Sequence, residues 1–379
     1  MHVGYSAVFQ GSDDPSGDQD VWSNDLRLAE LAEPLGFDSV WSVEHHFTGY
    51  TMCPDPLTFL SYMAGRTSRV QLGTMVVVLP WHDPVRVAEQ AVMVDTMSQG
   101  RLVLGLGRGL GRVEFDGFRV PMGESRGRFT EYAEMLIEGL ETGELKYEGE
   151  FISQPSRQLR PSPFKSFKGR LYASSVSPES WPIMAKLGVG LLIIPQKPWD
   201  TVVEELAGYR ELYRELNGTE APAPILGGWT FVDEDADRAQ ELGRRYLGAY
   251  YETVLKHYEF TAGHLATTKG SEHYAGVGKS IEKHGAQGHI NFFADLQVYG
   301  TPAQCIDKIA EIQRMTGAEG YLAVCRYAGM PFDEGERNMR LFASDVMPDI
   351  RHLSADPPFS MRSGAPVGAG ARAATGAPA

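Results

Sequence analysis

An eightfold alternation of short apolar runs with helical patterns predicts an α/β chain closed as a (β/α)8 TIM barrel, with an insertion ahead of the eighth strand. Three observations carry this. The 379 residues are 42% hydrophobic and 10% aromatic, enough to bury one large core. Each apolar run is followed by a helical stretch, the pattern of parallel strands joined by right-handed crossovers. The runs number eight, the count at which such a sheet closes on itself. The barrel is expected to span residues 1–350.

"MHVGYSAVF" reads as the first strand, and Leu28, Leu31, Ala32 and Leu35 then share a helical face ended by Gly36. "FDSVWSVEHH" is the second strand, followed by a helix near 55–66. "VQLGTMVVVLP" is apolar almost throughout, as suits a strand covered on both faces. Asp83 caps and Pro84 starts the next helix, which Gly100 ends. "RLVLGLG" is strand four and "ESRGRFTEYAEMLIEGL" its helix, with a hairpin over about 145–160. "RLYASSVS", "GLLIIP" and "ILGGWTFV" follow as strands five to seven, and "GAEGYLAVCRY" is the eighth. The last helix places Met339, Phe342, Ala343 and Val346 on one face.

Before the eighth strand, residues 261–300 form a long glycine-dotted connection. Its length and lack of a core-forming period predict a mobile lid over 261–290. The tail, 354–379, is rich in Pro, Gly and Ala without a hydrophobic period and is expected to be disordered.

A net charge of −14 argues against a nucleic-acid partner. Cys53, Cys305 and Cys325 are scattered with no C-x-x-C pair, which reads as three reduced, packed thiols rather than a disulfide framework or thiolate metal site. The N-terminus lacks the basic flank and apolar run of a signal peptide, and no run of about 18 apolar residues occurs. A cytoplasmic protein that does not enter the membrane is expected.

Two motifs invite over-reading. "GRLVLGLGRGLGR" suggests a dinucleotide turn, yet from Gly105 the third glycine of G-x-G-x-x-G falls on Leu110, and from Gly107 it falls on Arg112. "RVEFDGFRVPMG" after it reads as a loop, not a helix facing a pyrophosphate. These glycines are better suited to bringing a strand end close to a flat ligand. "GESRG" matches a nucleophile elbow at Ser125, but no buried strand leads into it, so Ser125 and Arg126 read as the polar start of a helix.

"WSVEHHF" is more informative. Alternation along a strand puts Glu44 and His46 on one face and His45 on the other, at the strand end where barrel enzymes hold their reactive groups. Such a cluster can ligate a metal, form a structural histidine pair, or exchange protons near neutral pH. The absence of H-E-x-x-H, and of H-x-H on strand one, weighs against a metal. General acid-base work by one of these histidines is the favoured reading, with Glu44 as a candidate catalytic residue beside it and no metal.

Across nearly all of residues 1–350 the chain resembles the bacterial luciferase-like flavin-dependent monooxygenases. The resemblance rests on "LGFDSVWSVEHHFTGY", "VQLGTMVVVLPWHDPVRVAEQAVMVDTMSQGRLVLGLGRG", "SRGRFTEYAEML", "LYASSVSPESW" and "FASDVMPDIR", in that order. It implies a TIM barrel with FMN, or in some branches the deazaflavin F420, at its C-terminal mouth. It places the catalytic base at His45 and a non-proline cis peptide backing the flavin at Met75 and Val76. It places Gly107 beside the flavin, phosphate-binding arginines at Arg108 and Arg126, and their hydrogen-bonding partners at Ser174 and Ser175.

The implied reaction uses reduced FMN and O2, through a C4a-(hydro)peroxyflavin, to insert one oxygen atom into a small organic substrate. The chain has no dinucleotide motif, so the resemblance implies a separate NAD(P)H:flavin reductase as partner, and also a homodimer. The glutamate-first "EHHF" looks more like FMN-using members, which leaves F420-dependent hydride transfer or a flavin carrier as alternatives. Light-emitting members carry a cysteine where this chain has Gly107 and two small residues where it has Met75 and Val76, so neither light emission nor a long-chain aldehyde substrate is expected.

Overall fold

The computed structural model describes residues 1–11, 17–174 and 177–353. Ser175 and the predicted tail 354–379 lie outside the described residues. In chain order the strands are β1 (His2–Ala7), β2 (Ser39–Ser42), β3 (Gln71–Thr74), β4 (Val77–Val78), β5 (Leu102–Gly107), β6 (Glu144–Glu148), β7 (Ser153–Gln158), β8 (Leu171–Ser174), β9 (Gly190–Ile193), β10 (Ile225–Val232), β11 (Val298–Gly300) and β12 (Gly320–Val324). Strands β1, β2, β3, β5, β8, β9, β10 and β12 pair in parallel, and β12 returns to β1 with His2 opposite Gly320, closing the barrel. β6 and β7 form the predicted antiparallel hairpin.

The third strand is split: Val77 and Val78 resume pairing with β5 after a cis peptide between Met75 and Val76. Inside the barrel, Trp41 is fully buried and its ring fills the space a Cβ at Gly73 would need, 2.1 Å from the ring. Its Nε1 donates to Ser39 Oγ at 2.7 Å, and His2 Nε2 meets the same hydroxyl at 2.7 Å, so the plug is fixed in rotation as well as depth. Outside, helices press one apolar stripe each on the sheet; Phe129, Tyr132, Ala133, Leu136 and Leu140 form the stripe of the helix Ser125–Thr142. Met339, Phe342, Ala343 and Val346 are buried together as the period predicted.

The wall between the third helix and β8 is tied by a buried ion pair. Arg170, 2% exposed, donates to Asp95 Oδ1 at 2.6 Å and to Leu102 O at 2.9 Å. Cys53, Cys305 and Cys325 are all buried and unbridged. Burial pushes each thiol pKa up, those of Cys53 and Cys305 to about 12. No helix among the described residues is long and apolar enough to cross a membrane.

Three local expectations need correction. The connection 261–300 is not irregular: it holds helices His264–Thr267, Glu272–His284 and Ala286–Leu296. Gly263 precedes the first of these helices and Gly270 and Gly285 lie between them, all at positive φ, punctuating a helical stretch that their number disguised. The last of the three is core, with Phe293 stacked on Tyr251 at 4.7 Å. "RVEFDGF", expected as loop, is the helix Arg112–Phe118, begun at Gly111; its phenylalanines and internal glycine hid it. β2 stops at Ser42, so the Glu-His-His stretch lies just past the strand, yet its alternation of faces persists.

Candidate active site

A cavity opens at the C-terminal ends of the barrel strands, with about 1040 Å³ of open space including its mouth. Glu44, His45, Met75, Val76, Gly107, Arg108, Arg126 and Ser174 all line it. The fold thus brings together every described residue that the sequence placed in the site.

At one end the two arginines converge. Arg108 Nη1 donates to the backbone oxygen of Gly270 at 2.7 Å, and Arg126 Nη2 to the same oxygen at 3.2 Å. Burial pushes the Arg108 pKa down, with the Tyr274 hydroxyl beside it and the like charge of Arg126 nearby. Glu179 lies 3.5 Å from Arg126. Two cations aimed at one neutral acceptor form a place where an anion gains more than a carbonyl does. Ser180, at the start of the helix Ser180–Leu187, also lines this end.

Along the wall, Met75 and Val76 present apolar side chains, and Gly107 makes room for one of them: a Cβ there would meet Val76 Cγ2 at 2.2 Å. The glycine therefore admits a side chain of the neighbouring strand, a closer reason than the approach to a ligand read from the sequence. Trp81, Phe129, Ile194, Tyr258 and Phe260 complete an apolar lining.

At the other end stand two carboxylates, each shared by two imidazoles. Glu44 is buried; its Oε1 meets His46 Nε2 at 3.0 Å and His82 Nε2 at 2.6 Å, and its Oε2 accepts from the Val78 amide at 2.8 Å. Burial pushes this carboxyl up, but the hydrogen bonds from His46 and His82 outweigh it and hold the pKa below the ordinary value. Glu44 thereby locks the stretch after the cis peptide to the loop after β2.

Glu114, fully buried, accepts from His45 Nδ1 and from the His46 amide, both at 2.9 Å. Its second oxygen lies 3.5 Å from His257 Nε2. Burial raises the Glu114 carboxyl, yet the charge of His45 and the contact with His257 win and bring it to about 2. With Nδ1 engaged, His45 keeps Nε2 for the cavity. The ligand atoms of His45, Glu114 and His257 lie within 4.8 Å of one another, a donor set of the kind that takes a divalent cation. The 2.9 Å contact is, however, of ordinary hydrogen-bond length.

Sequence reasoning missed Glu114, His257, His82, Tyr258, Tyr274 and the carbonyl of Gly270. No local signal marks them: Glu114 is 69 residues from His45 and lies in the segment mistaken for a loop.

A barrel of this kind with a cationic pair and a carboxylate-held histidine at one mouth has the layout of a barrel enzyme's site, and the comparisons identify the family. Residues 1–319 match the model of the luciferase-like monooxygenases, and the chain belongs to that family. It is 30% identical over 332 residues to the alkanal monooxygenase alpha chain of Aliivibrio fischeri, covering 84% of this chain and 90% of that one. It is 23% identical over 352 residues to the oxygenase component of a flavin-dependent trigonelline monooxygenase of Acinetobacter baylyi, covering 90% and 94%. Among solved structures, the monooxygenase RslO1 of Streptomyces bottropensis superposes with a TM-score of 0.76 at 26% identity, covering 92% of this chain and 99% of that one. Two more share the fold. One is a type II Baeyer-Villiger monooxygenase of Pseudomonas putida in complex with FMN, with a TM-score of 0.71 at 16% identity, covering 92% and 98%. The other is an F420-dependent secondary alcohol dehydrogenase, with a TM-score of 0.69 at 17% identity, covering 93% and 99%.

Proposed function

We propose that the protein is the oxygenase of a two-component system, taking reduced FMN from a separate NAD(P)H:flavin reductase and using O2 to place one oxygen atom in a small organic substrate. One observation carries the reading: a single cavity joins Arg108 and Arg126, converging on one acceptor, to His45, whose inner nitrogen a buried carboxylate holds. The residues fit a flavin mononucleotide in charge and in shape, with cations at one end and a flat apolar wall between.

Bound reduced flavin supplies the electron pair that activates O2. Arg108 and Arg126 would hold the phosphate as charge-assisted donors, with Ser174 and Ser180 adding neutral ones. Met75 and Val76 would back the ring, and the apolar side chains of Trp81, Phe129 and Ile194 would help keep water out of the cavity. His45 exchanges through Nε2 the proton that divides oxygen transfer from loss of hydrogen peroxide. Glu44 acts by position, fixing the backbone beside Val76. For a phosphate to take that place the Gly270 carbonyl has to leave the arginines, which supports movement of the part of 261–290 ahead of the core helix Ala286–Leu296.

The deciding experiment is aerobic turnover of a small-molecule panel with a generic flavin reductase, read by mass spectrometry for the gain of one oxygen atom. Flavin binding without any oxygen-dependent product would leave a carrier protein instead. A parallel titration addresses F420. Outward from Arg126 the surface carries Glu124, Glu131 and Glu150 alongside Lys269, a poor match for a cofactor with further carboxylates beyond its phosphate. Tighter binding of F420 than of reduced FMN would overturn the assignment.

A further inference from the structure

The His45, Glu114 and His257 chain does not end inside the protein. His257 also lines a second hollow, together with Thr48, Arg112, Asp116, Lys256 and Glu259, none of which lines the first cavity. Its Nδ1 lies 3.0 Å from the Thr48 hydroxyl, which is partly open to solvent. Inward, the path runs through Glu114, whose side chain is fully buried, to His45 on the cavity.

We infer that His45, Glu114, His257 and Thr48 form a proton relay between the cavity and solvent, by which His45 is reloaded or discharged while the cavity mouth stays shut. The inference rests on the functional reading above. Balance is simple, since each group takes one proton and gives one. A proton arriving at His45 Nε2 releases that on Nδ1 to Glu114 Oε1. The Glu114 carboxyl then turns over so that the same proton leaves toward His257 Nε2, His257 gives one from Nδ1 to the Thr48 oxygen, and Thr48 passes its own hydroxyl proton to the water beyond. Run in reverse, the same chain supplies protons.

A second observation supports the path independently of charge. Gly111, at the start of the helix that carries Glu114, faces the junction itself. A Cβ there would lie 2.4 Å from Glu114 Oε2 and 2.9 Å from His257 Nε2. Its φ of −69° and ψ of 116° are open to any residue, so the turn itself does not require glycine. What the bare position provides is the approach of those two atoms. At 3.5 Å their contact is loose, and closing by about half an ångström makes it a full hydrogen bond. Glu114 and His257 do not line the cavity and act through His45.

Two arms test the relay. In the first, His257→Ala should slow product formation about tenfold or more, and imidazole added at tens of millimolar, entering the second hollow, should restore at least half of the rate. Gly111→Ala should show the same slowing although every titrating group remains, with FMN affinity unchanged. In the second, nitrogen-15 NMR follows the imidazoles of the cofactor-free protein against pH. The His45 titration should move when His257 is changed to Gln and again in Gly111→Ala. Tyr50, Tyr258, Glu259, Arg112 and Lys256, which face the chain from its neighbours, stay in place in all variants and give a common background.

Failure of imidazole to restore the rate, or a His45 titration identical in all variants, overturns the relay. So does stoichiometric Zn2+ binding that quenches both imidazole signals, because the trio would then be a metal site. The NMR arm needs neither flavin nor substrate. A coupled titration with no oxygenated product would therefore defeat the monooxygenase reading and leave the proton path standing.

Discussion

Replacing Arg108 with Ala should weaken FMN binding more than replacing Arg126, and neither change should matter for riboflavin. The two guanidiniums share the Gly270 oxygen, but their surroundings differ. Arg126 keeps 32% of its side chain exposed and has Glu179 at 3.5 Å, so part of its charge is already answered and screened. Arg108 is the deeper of the two, has no carboxylate within ion-pair distance among the described residues, and holds the shorter bond, 2.7 Å against 3.2 Å. A charge-assisted hydrogen bond is worth about 1.5 to 3 kcal/mol, or roughly one to two decades in affinity. Arg108→Ala belongs at the upper end and Arg126→Ala near one decade. Titration of the cofactor-free variants with FMN and riboflavin, and anaerobically with reduced FMN, measures both. Equal losses for riboflavin and FMN would show that the arginines act through the fold, and a larger loss at Arg126 would refute the charge argument.

Trimming 263–285 to a short linker, which spares Phe293 and the core helix it belongs to, should leave folding and flavin binding largely intact while most reduced flavin decays to hydrogen peroxide; full coupling in the trimmed protein would remove the lid. Limited proteolysis should cut near Lys269 or Lys279, more slowly once reduced flavin is added. His45→Ala should lower coupled product about 10²-fold with flavin still bound, and unchanged turnover would take His45 out of the mechanism. Burial lowers the His82 pKa, but the hydrogen bond and charge of Glu44 raise it above 6.5 overall. Its contribution to stability is then full below pH 6.5 and lost as pH rises through the raised value. Urea melts should accordingly show the gap between wild type and His82→Gln shrinking from pH 6 to pH 9, and a widening gap would contradict the assignment. Asp95→Ala strands the Arg170 guanidinium in the wall and should cost about 3 to 5 kcal/mol; a loss under about 1 kcal/mol would mean that the pair is structurally idle.

The barrel was legible because its signals are local. The split third strand announces itself by a nearly continuous apolar run, and Asp83 with Pro84 marks a helix start. The errors came where local pattern and tertiary role diverge. Glycines at helix junctions in 261–300 looked like looseness, and the short helix Arg112–Phe118 has too few turns to show a period. Glu114 and His257 were invisible for a different reason. A carboxylate and an imidazole become partners only when helices more than a hundred residues apart meet over the loop after β2, and nothing in either neighbourhood foretells it. Gly107 illustrates a milder case: its importance was legible, but its reason, the bulk of Val76, required the neighbouring strand.

Under the proposed function, the three buried thiols sit beside a reaction that can leak peroxide. Oxidation of cysteine begins from the thiolate, and a thiol held at about 12, as at Cys53 and Cys305, is ionised in only about one molecule in 10⁵ at neutral pH. An oxygenase that misfires releases its oxidant within a few side chains of its own core, and this chain meets it with sulfur that is both covered and protonated. The burden of self-inflicted damage shifts to thioethers, which need no ionisation to react. Met93 and Met97, 50% and 49% exposed on the third helix, are open to it from solvent. Slow inactivation during futile cycling should thus be written in methionine sulfoxide on the outer surface, reversible by repair, rather than in sulfinic acid at the centre of the barrel.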